Sequence, residues 1–190
     1  MKYPNAIRKK EVNINLNRST SNRGMDLEFD INRSNQYYLA NEIAVVHKKP
    51  TPIQVVKVDY PKRSSAKIVE AYYKIPSTTD YNGLFKNHYI DFEAKECNSK
   101  TSFPFTSLHH HQLEHLSLVD KMGGYAFLII RFNKHDKTFL IMAKDVIDIY
   151  LTNKRKSLSY DWVLKHGYLI ETSYLAPCDY LKTLAKILEV

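Results

Sequence analysis

The stretch that decides the fold is TTDYNGLFKNHYIDFEAKE, residues 78–96, whose pattern predicts two strands joined by a turn. In the second strand polar and apolar residues alternate, and successive side chains of a strand point to opposite faces of a sheet. Asp91, Glu93 and Lys95 therefore share one face with Tyr89, whereas the apolar residues between them face a hydrophobic core.

The position of the turn decides which residues face each other across this hairpin. If the turn centres on Lys86 and Asn87, residues whose numbers sum to 173 are paired, and Asp80 faces Glu93 with Cβ atoms roughly 5 Å apart. Thr78 then lies on the same face. Adjacent carboxylates resist burial unless positive charge compensates them, and a divalent cation does so. We therefore predict that the hairpin builds a metal site.

A second turn is available within the same stretch. Asn82-Gly83 is a strong hairpin signal, and a turn there would pair Asp80 with Phe85 and separate the two carboxylates. The later turn is preferred, because the earlier one leaves residues 86–95 as a strand that begins in polar residues and has only a short partner upstream.

Composition favours a basic protein of one domain. The 190 residues carry 28 Lys and Arg against 20 Asp and Glu, for a formal net charge of +8. This balance favours an anionic partner, and a solvated basic surface is the alternative. Two cysteines imply no disulfide framework, and no apolar run suits a signal peptide or a membrane span. We expect a cytoplasmic protein without membrane contact.

Hydrophobic periodicity predicts the remaining elements and a mixed α/β class. Residues 1–22 are polar and basic and are expected to form a flexible arm, whereas residues 23–190 form a single domain. The predicted elements are a helix over 25–43, a strand over 43–48, a helix from a cap at Thr106 or Ser107 to Lys121, strands over 125–132, 137–142 and within 167–172, and helices over 143–151 and 177–190.

Residues 53–75 contain two β-rich halves joined by a basic turn that includes Arg63. The second half suits a strand or a short helix, and the pattern does not choose between them. A ribbon this narrow has no core of its own, so the segment is either a projection or an ordinary surface hairpin.

The predicted site chemistry is metal-dependent phosphodiester hydrolysis. Asp80 and Glu93 would hold Mg²⁺, a hard cation that prefers oxygen ligands, and water becomes more acidic beside such an ion. Lys95 could orient or deprotonate that water, or offset the negative charge that develops at phosphorus in the transition state. Thr78 could offer an oxygen to the metal or to its water. Gln112 lies on the inward stripe of its predicted helix, and a buried amide needs partners, so we expect it to face the carboxylates.

A rival metal motif lies on the same helix. His111, Glu114 and His115 match the H-x-x-E-H pattern of zinc hydrolases. Five residues match such a pattern easily by chance, and the motif needs a further acidic ligand that nothing downstream identifies. A polar helix face is the simpler interpretation.

Several long strings resemble the RecU family of Holliday junction resolvases. They are residues 37–74 and the strings SNRGMDLE (21–28), STTDYNG (77–83), YIDFEAKE (89–96) and HHHQLEH (109–115). The resemblance covers most of the chain and weakens after about residue 125. It implies a restriction-endonuclease-like nuclease core with a protruding stalk over residues 53–75. It also implies a homodimer that needs Mg²⁺, with Mn²⁺ as a substitute, and that nicks four-way DNA junctions symmetrically in recombination and repair.

The resemblance also implies roles for individual residues. The metal site would comprise Thr78, Asp80, Glu93 and Gln112, with Lys95 as the stabiliser of the transition state. DNA contacts would come from Lys48, Arg63, Tyr72, Tyr73 and the arm, and Glu28 would support the metal's water. Whether a recombinase binds is left open. The alternative function is a catalytically silent protein that binds junctions or modulates a recombinase.

Overall fold

A computed structural model describes residues 27–61, 66–74, 78–152 and 155–189 of the chain. Its helices and strands, in chain order, are α1 (Leu27–Ala40), β1 (Ala44–Lys48), β2 (Ile53–Asp59), β3 (Lys67–Tyr73), β4 (Tyr81–Phe85), β5 (His88–Cys97), β6 (Ser102–Pro104), α2 (His110–Lys121), β7 (Tyr125–Phe132), β8 (Lys137–Met142), α3 (Ala143–Leu151), β9 (Ser157–Ser159), α4 (Tyr160–His166), β10 (Tyr168–Leu169) and α5 (Tyr180–Leu188).

A six-stranded mixed sheet with the order β1-β4-β5-β7-β8-β10 forms the centre of the structure. β5 and β7 pair in parallel, and the other neighbours pair antiparallel. A parallel pair needs a crossover connection, and the segment from β5 to β7 supplies it and contains α2. The predicted class, a mixed α/β sheet with flanking helices, is confirmed.

Helices cover both faces of the sheet and give two hydrophobic cores. One core joins α1 and α5 to the face that carries Phe92 and Phe127. The other joins α2, α3 and α4 to the face that carries Leu128 and Ile130. β7 is apolar on both sides because both of its faces are buried.

The hairpin has the predicted register. Lys86 and Asn87 form the turn with φ of 46° and 67°, as a two-residue hairpin turn with both central residues at positive φ requires. Tyr81 faces Phe92 and Phe85 faces His88, so the paired numbers sum to 173.

The rival turn at Asn82-Gly83 is not formed, because Gly83 lies inside β4 and faces Val46 of β1. A Cβ at position 83 would lie 2.2 Å from the carbonyl oxygen of Val45. The glycine permits the close approach of β1 rather than a turn.

Three predicted helices have wrong boundaries. The helix predicted over 177–190 spans only Tyr180–Leu188, and Glu189 ends it with a left-handed φ of 55°. α1 ends at Ala40 rather than residue 43, because Glu42 adopts a left-handed φ of 58° that stops the helix. Thr106 and Ser107 do not cap α2; they lie in a short 3₁₀ helix, and α2 begins at His110 with His109 as its N-cap.

The segment over residues 53–75 forms an antiparallel ribbon of β2 and β3, so its second half is a strand. Almost every described residue of the two strands is exposed, on both faces, and the stalk stays a prediction. Residues 62–65, which include Arg63, and the arm predicted over residues 1–22 lie outside the described residues.

The sequence pattern did not predict three short elements, which are β6, β9 and α4. β6 and β9 pair as a separate two-stranded sheet, with three residues in each strand.

Both cysteines are buried and free. Within the described ranges, no helix combines the length and the apolar character that a membrane crossing requires.

We predict that Gly83→Ala destabilises the fold. The added methyl group meets backbone atoms of β1 that cannot move without breaking the β1–β4 pairing. The expected cost is about 2–3 kcal/mol, which corresponds to a fall of roughly 5–10 °C in Tm for a chain of this length. Thermal unfolding followed by circular dichroism measures it.

Lys86→Gly is the matched control for this prediction. Its φ of 46° is one that glycine adopts without strain, so the variant should be as stable as the wild-type protein or slightly more stable. If Gly83→Ala had the same Tm as the wild type, the assignment of Gly83 to the interior of β4 would be wrong.

Candidate active site on the hairpin

Asp80 and Glu93 lie together, one strand position beyond the last regular pair of β4 and β5. The backbone N–H of Asp80 donates to Glu93 Oε2 at 3.1 Å, and the backbone N–H of Ala94 donates to Asp80 Oδ2 at 3.4 Å. Glu93 is 0% exposed, whereas Asp80 is partly exposed. The hairpin register therefore brings the two predicted carboxylates to one place.

Two further predicted site residues contact the same carboxylate. Lys95 Nζ lies 2.5 Å from Glu93 Oε1, and its side chain remains 24% exposed. Gln112 Nε2 donates to Glu93 Oε1 at 2.6 Å and is buried. β5 supplies Lys95 because residues two apart share a face, and α2 crosses this face and supplies Gln112, as predicted.

Burial raises the pKa of Glu93 to about 7. The Lys95 ammonium opposes this rise in pKa, and the nearby carboxylate of Asp80 adds to it. A carboxyl group with a pKa near neutrality, between a lysine and a second carboxylate, is typical of functional sites.

The donor set fits a hard divalent cation. Asp80 and Glu93 offer carboxylate oxygens, and the partly exposed Thr78 lies in the segment that leads into Asp80. The amide oxygen of Gln112 accepts from the backbone N–H of His109 at 2.9 Å and keeps a second lone pair. All of these donors are oxygens, which suits Mg²⁺ or Mn²⁺.

The zinc motif of α2 has no third ligand within the described part of the chain. His115 Nε2 lies 3.0 Å from Asp91, and Glu114 pairs with His110 rather than facing a metal. Among the described residues, no group of three or more His, Cys, Asp or Glu side chains could hold a metal ion.

Sequence reasoning assigned no role to Asp91, which is 0% exposed and lies two residues before Glu93 on the same face. Lys49 Nζ contacts its carboxylate at 2.8 Å, and the hydroxyl groups of Thr79 and Tyr89 donate to it. The alternation of β5 placed Asp91 on the polar face, but its partners come from distant parts of the chain.

Those residues predicted to bind DNA that the structure describes, Lys48, Tyr72 and Tyr73, lie on the surface. Lys48 forms an ion pair with Glu28 of α1. Tyr72 and Tyr73, at the end of β3, are 61% and 84% exposed. Arg63 lies outside the described residues. That Lys48, Arg63, Tyr72 and Tyr73 contact DNA stays a prediction.

The chain is similar to a known protein family and to curated bacterial proteins. The sequence profile described as "Recombination protein U" matches residues 22–186. A protein of Streptococcus thermophilus named "Holliday junction resolvase RecU" is 47% identical over 191 residues, which cover 98% of this chain and 96% of that protein. A Bacillus cereus protein of the same name is 51% identical over 167 residues, covering 86% and 84%.

A solved structure shows a weaker similarity. It is Hjc of Archaeoglobus fulgidus, described as a Holliday junction resolvase, with a TM-score of 0.42 and 11% sequence identity. The similar region covers 73% of this chain and 93% of the archaeal chain.

We predict that Glu93→Gln changes the pH dependence of stability. Between its unfolded pKa of 4.5 and its folded pKa of about 7, Glu93 holds a proton in the folded protein that the unfolded chain has released. The stability of the metal-free wild type therefore falls as pH rises through this window. Relative to Glu93→Gln, which stays neutral, the wild type should lose about 2–3 kcal/mol between pH 5 and pH 8.

Urea denaturation in the presence of EDTA measures this difference. Glu70→Gln on the exposed ribbon is the control, and its stability should follow that of the wild type at both pH values. A constant gap between wild type and Glu93→Gln from pH 5 to pH 8 would show that Glu93 titrates normally.

Proposed function

Because the chain belongs to the Recombination protein U (RecU) family, we propose that it is a Holliday junction resolvase. Such an enzyme is an endonuclease that cuts four-way DNA junctions in recombination and repair. We propose paired symmetric nicks, Mg²⁺ as the metal with Mn²⁺ as a substitute, and a cytoplasmic location. In this proposal residues 1–22 form a basic arm and residues 23–190 one nuclease domain with the stalk inserted.

One observation carries the assignment of the active site: a single buried carboxylate, Glu93, has Asp80, Lys95 and Gln112 as immediate neighbours. A binding surface for DNA has no use for two carboxylates, because they repel phosphate. A divalent cation would reverse this charge, and Asp80 and Glu93, with Thr78 and the Gln112 oxygen, would hold it. When bound, it supplies Lewis-acid polarisation of the phosphate and acidification of water.

The chain's own residues perform the remaining tasks. Glu93 must release its proton to bind a cation. Lys95 favours that release, because its ammonium group lowers the pKa of the Glu93 carboxyl group. The Lys95 ammonium is also partly exposed, so it can reach a phosphate and stabilise the negative charge that develops at phosphorus. Gln112 fixes the orientation of Glu93 by its hydrogen bond.

Substrate selection follows from charge, symmetry and the stalk. A net charge of +8 favours the phosphate backbone, and such binding weakens steeply with salt. A four-way junction has approximate two-fold symmetry, so a C2 homodimer with two sites suits it. The exposed ribbon of β2 and β3, which carries Tyr72 and Tyr73, would recognise the open centre of the junction by shape. Lys48, at the end of β1, and Arg63 would add DNA contacts.

A junction-binding protein without catalysis is the second candidate function. It would use the same basic surface, to remodel junctions or to hold a recombinase. The burial of Glu93 beside Asp80 argues against it, because this arrangement costs stability and binding alone does not need it.

We predict that Asp80→Asn abolishes nicking and preserves binding. Removing one carboxylate removes a ligand and the charge that attracts the cation. The rate of Mg²⁺-dependent nicking of a labelled four-way junction should fall by at least about a hundredfold. Affinity for the junction, measured by gel shift without Mg²⁺, should change by less than about twofold. Contacts with phosphates govern that affinity, and Asp80→Asn removes none of them.

Asp148→Asn, an exposed aspartate of α3, is the control and should nick like the wild type. Junction binding without any nicking by the wild-type protein, in either Mg²⁺ or Mn²⁺, would favour the second candidate function.

For the stalk, we predict that Tyr73→Ala weakens junction binding about tenfold, because one aromatic side chain that stacks on a base contributes about 1–3 kcal/mol. Binding to linear duplex of the same length should change by less than about twofold if the stalk enters only the open junction centre. Tyr174→Ala, a tyrosine that is also largely exposed, is the matched control. An equal loss on junction and duplex would reject a junction-specific stalk.

A further inference from the structure

A hydrogen-bonded cluster around one buried carboxylate lies beside the Asp80–Glu93 pair and takes no part in the reaction described above. Its centre is Asp91, whose Oδ2 lies 2.8 Å from Lys49 Nζ, 2.8 Å from the Tyr89 hydroxyl and 3.0 Å from His115 Nε2. Its Oδ1 accepts from the hydroxyl group of Thr79. A carboxylate accepts about four hydrogen bonds, so these donors satisfy Asp91.

The cluster joins the elements that supply the proposed site. Asp91 lies two residues before Glu93 on β5, so the two side chains share a face. His115 lies three residues after Gln112 on α2, about one turn further along the helix. The contact of His115 with Asp91 therefore fixes the same helix that delivers Gln112 to Glu93.

Thr79 connects the cluster to the segment just before β4, which supplies Asp80. Its hydroxyl group donates to Asp91 and accepts from Lys49 Nζ at 2.9 Å, and the residue is only 4% exposed. It is the direct chain neighbour of Asp80. The backbone N–H of Lys49 also donates to the Asp80 carbonyl oxygen at 2.7 Å, so side-chain and backbone contacts hold the same short segment.

This segment needs such anchoring because it lies outside the regular strands. β4 begins at Tyr81, so Asp80 precedes the paired part of the hairpin. Without a bound cation, the carboxylates of Asp80 and Glu93 repel each other when both are ionised. An unanchored segment would relax away from Glu93, and binding a cation would then have to overcome that movement.

The geometry points to Thr79 and Asp91 as positioning residues that hold Asp80 against Glu93, so that the two carboxylates are preorganised for a divalent cation. This inference rests on the proposed metal site. Neither residue is assigned contact with the ion or with DNA: the Thr79 hydroxyl and both oxygens of Asp91 are already engaged by neighbours.

Thr79→Val and Thr79→Ser separate the hydroxyl group from the shape of the side chain. Valine keeps the shape and loses both hydrogen bonds, whereas serine keeps the hydroxyl group. We expect Thr79→Val to weaken Mn²⁺ binding to the full-length protein without DNA by about tenfold or more, as for other residues that orient metal ligands. Isothermal titration calorimetry measures this affinity. Thr79→Ser should bind within about twofold of the wild type.

Nicking provides the second measurement. In Thr79→Val the Mg²⁺ concentration for half-maximal nicking should rise by a similar factor, while the rate at saturating Mg²⁺ falls by less than about threefold. A purely structural defect would lower the amount of active protein and leave the half-maximal concentration unchanged. Asp91→Asn, which turns an acceptor oxygen into a donor within the cluster, should show the same rise.

Thr138→Val is the matched control. Thr138 is also a buried threonine whose hydroxyl group accepts from a cationic side chain, Arg131, at 3.0 Å. It lies on β8, away from the hairpin, so this variant should keep the wild-type Mn²⁺ affinity. An equal weakening in Thr138→Val and Thr79→Val would overturn the inference.

Two results distinguish the failure of this inference from the failure of the proposed site. If Asp80→Asn abolishes Mn²⁺ binding while folded Thr79→Val and Asp91→Asn both bind it like the wild type, the site stands and the positioning role is wrong. If Asp80→Asn itself binds Mn²⁺ like the wild type, the proposed metal site is wrong and the positioning role falls with it.

Discussion

The burial of the Glu93 carboxylate against Asp80 is the constraint on which the rest of this structure depends. Taking a carboxylate out of water is costly, and a second carboxylate nearby adds to the cost. The neighbouring groups each offset part of it: the Lys95 ammonium, the Gln112 amide and the backbone N–H of Asp80 all point at Glu93. Even so, its pKa rises to about 7. The fold therefore maintains an acidic site whose charge is not fully compensated, which is the condition under which a cation binds favourably.

Gln112 links this site to the helix that covers it. Its oxygen accepts from the N–H of His109 and its amide group donates to Glu93. One side chain thus caps the start of α2 and contacts the buried carboxylate, so the position of the helix and the geometry of the site depend on each other. The parallel pairing of β5 with β7 requires a crossover, and this crossover places α2 over the polar face of β5. The topology of the sheet and the chemistry of the site are therefore coupled.

The sequence was sufficient for the parts of the site that depend on local periodicity. The alternation in β5 and the turn at Lys86 and Asn87 determine which residues face Glu93, and both are short-range features. Gly83 was ambiguous, because its conformational freedom suits a turn and its lack of a side chain suits a close strand contact; only the position of β1 decides between them. The Asp91 cluster could not be predicted, because Lys49 and His115 lie 42 and 24 residues away in the chain. Helix boundaries failed where a local conformation, such as the positive φ of Glu42, overrode the hydrophobic pattern.

Asp91 and Glu93 show how one strand face supports two different uses of the same functional group. The two carboxylates are two residues apart, equally buried and on the same side of β5. Donors from Lys49, Thr79, Tyr89 and His115 surround Asp91, so it has no capacity left for a metal and serves to hold the surrounding elements together. Glu93 has fewer donors and a second carboxylate as a neighbour, so it retains the capacity to exchange a proton for a cation. Environment rather than residue type separates the two roles. A fully satisfied carboxylate next to one that has fewer donors and a second carboxylate beside it is the arrangement expected where a rigid scaffold must support a site that is unfavourable by itself.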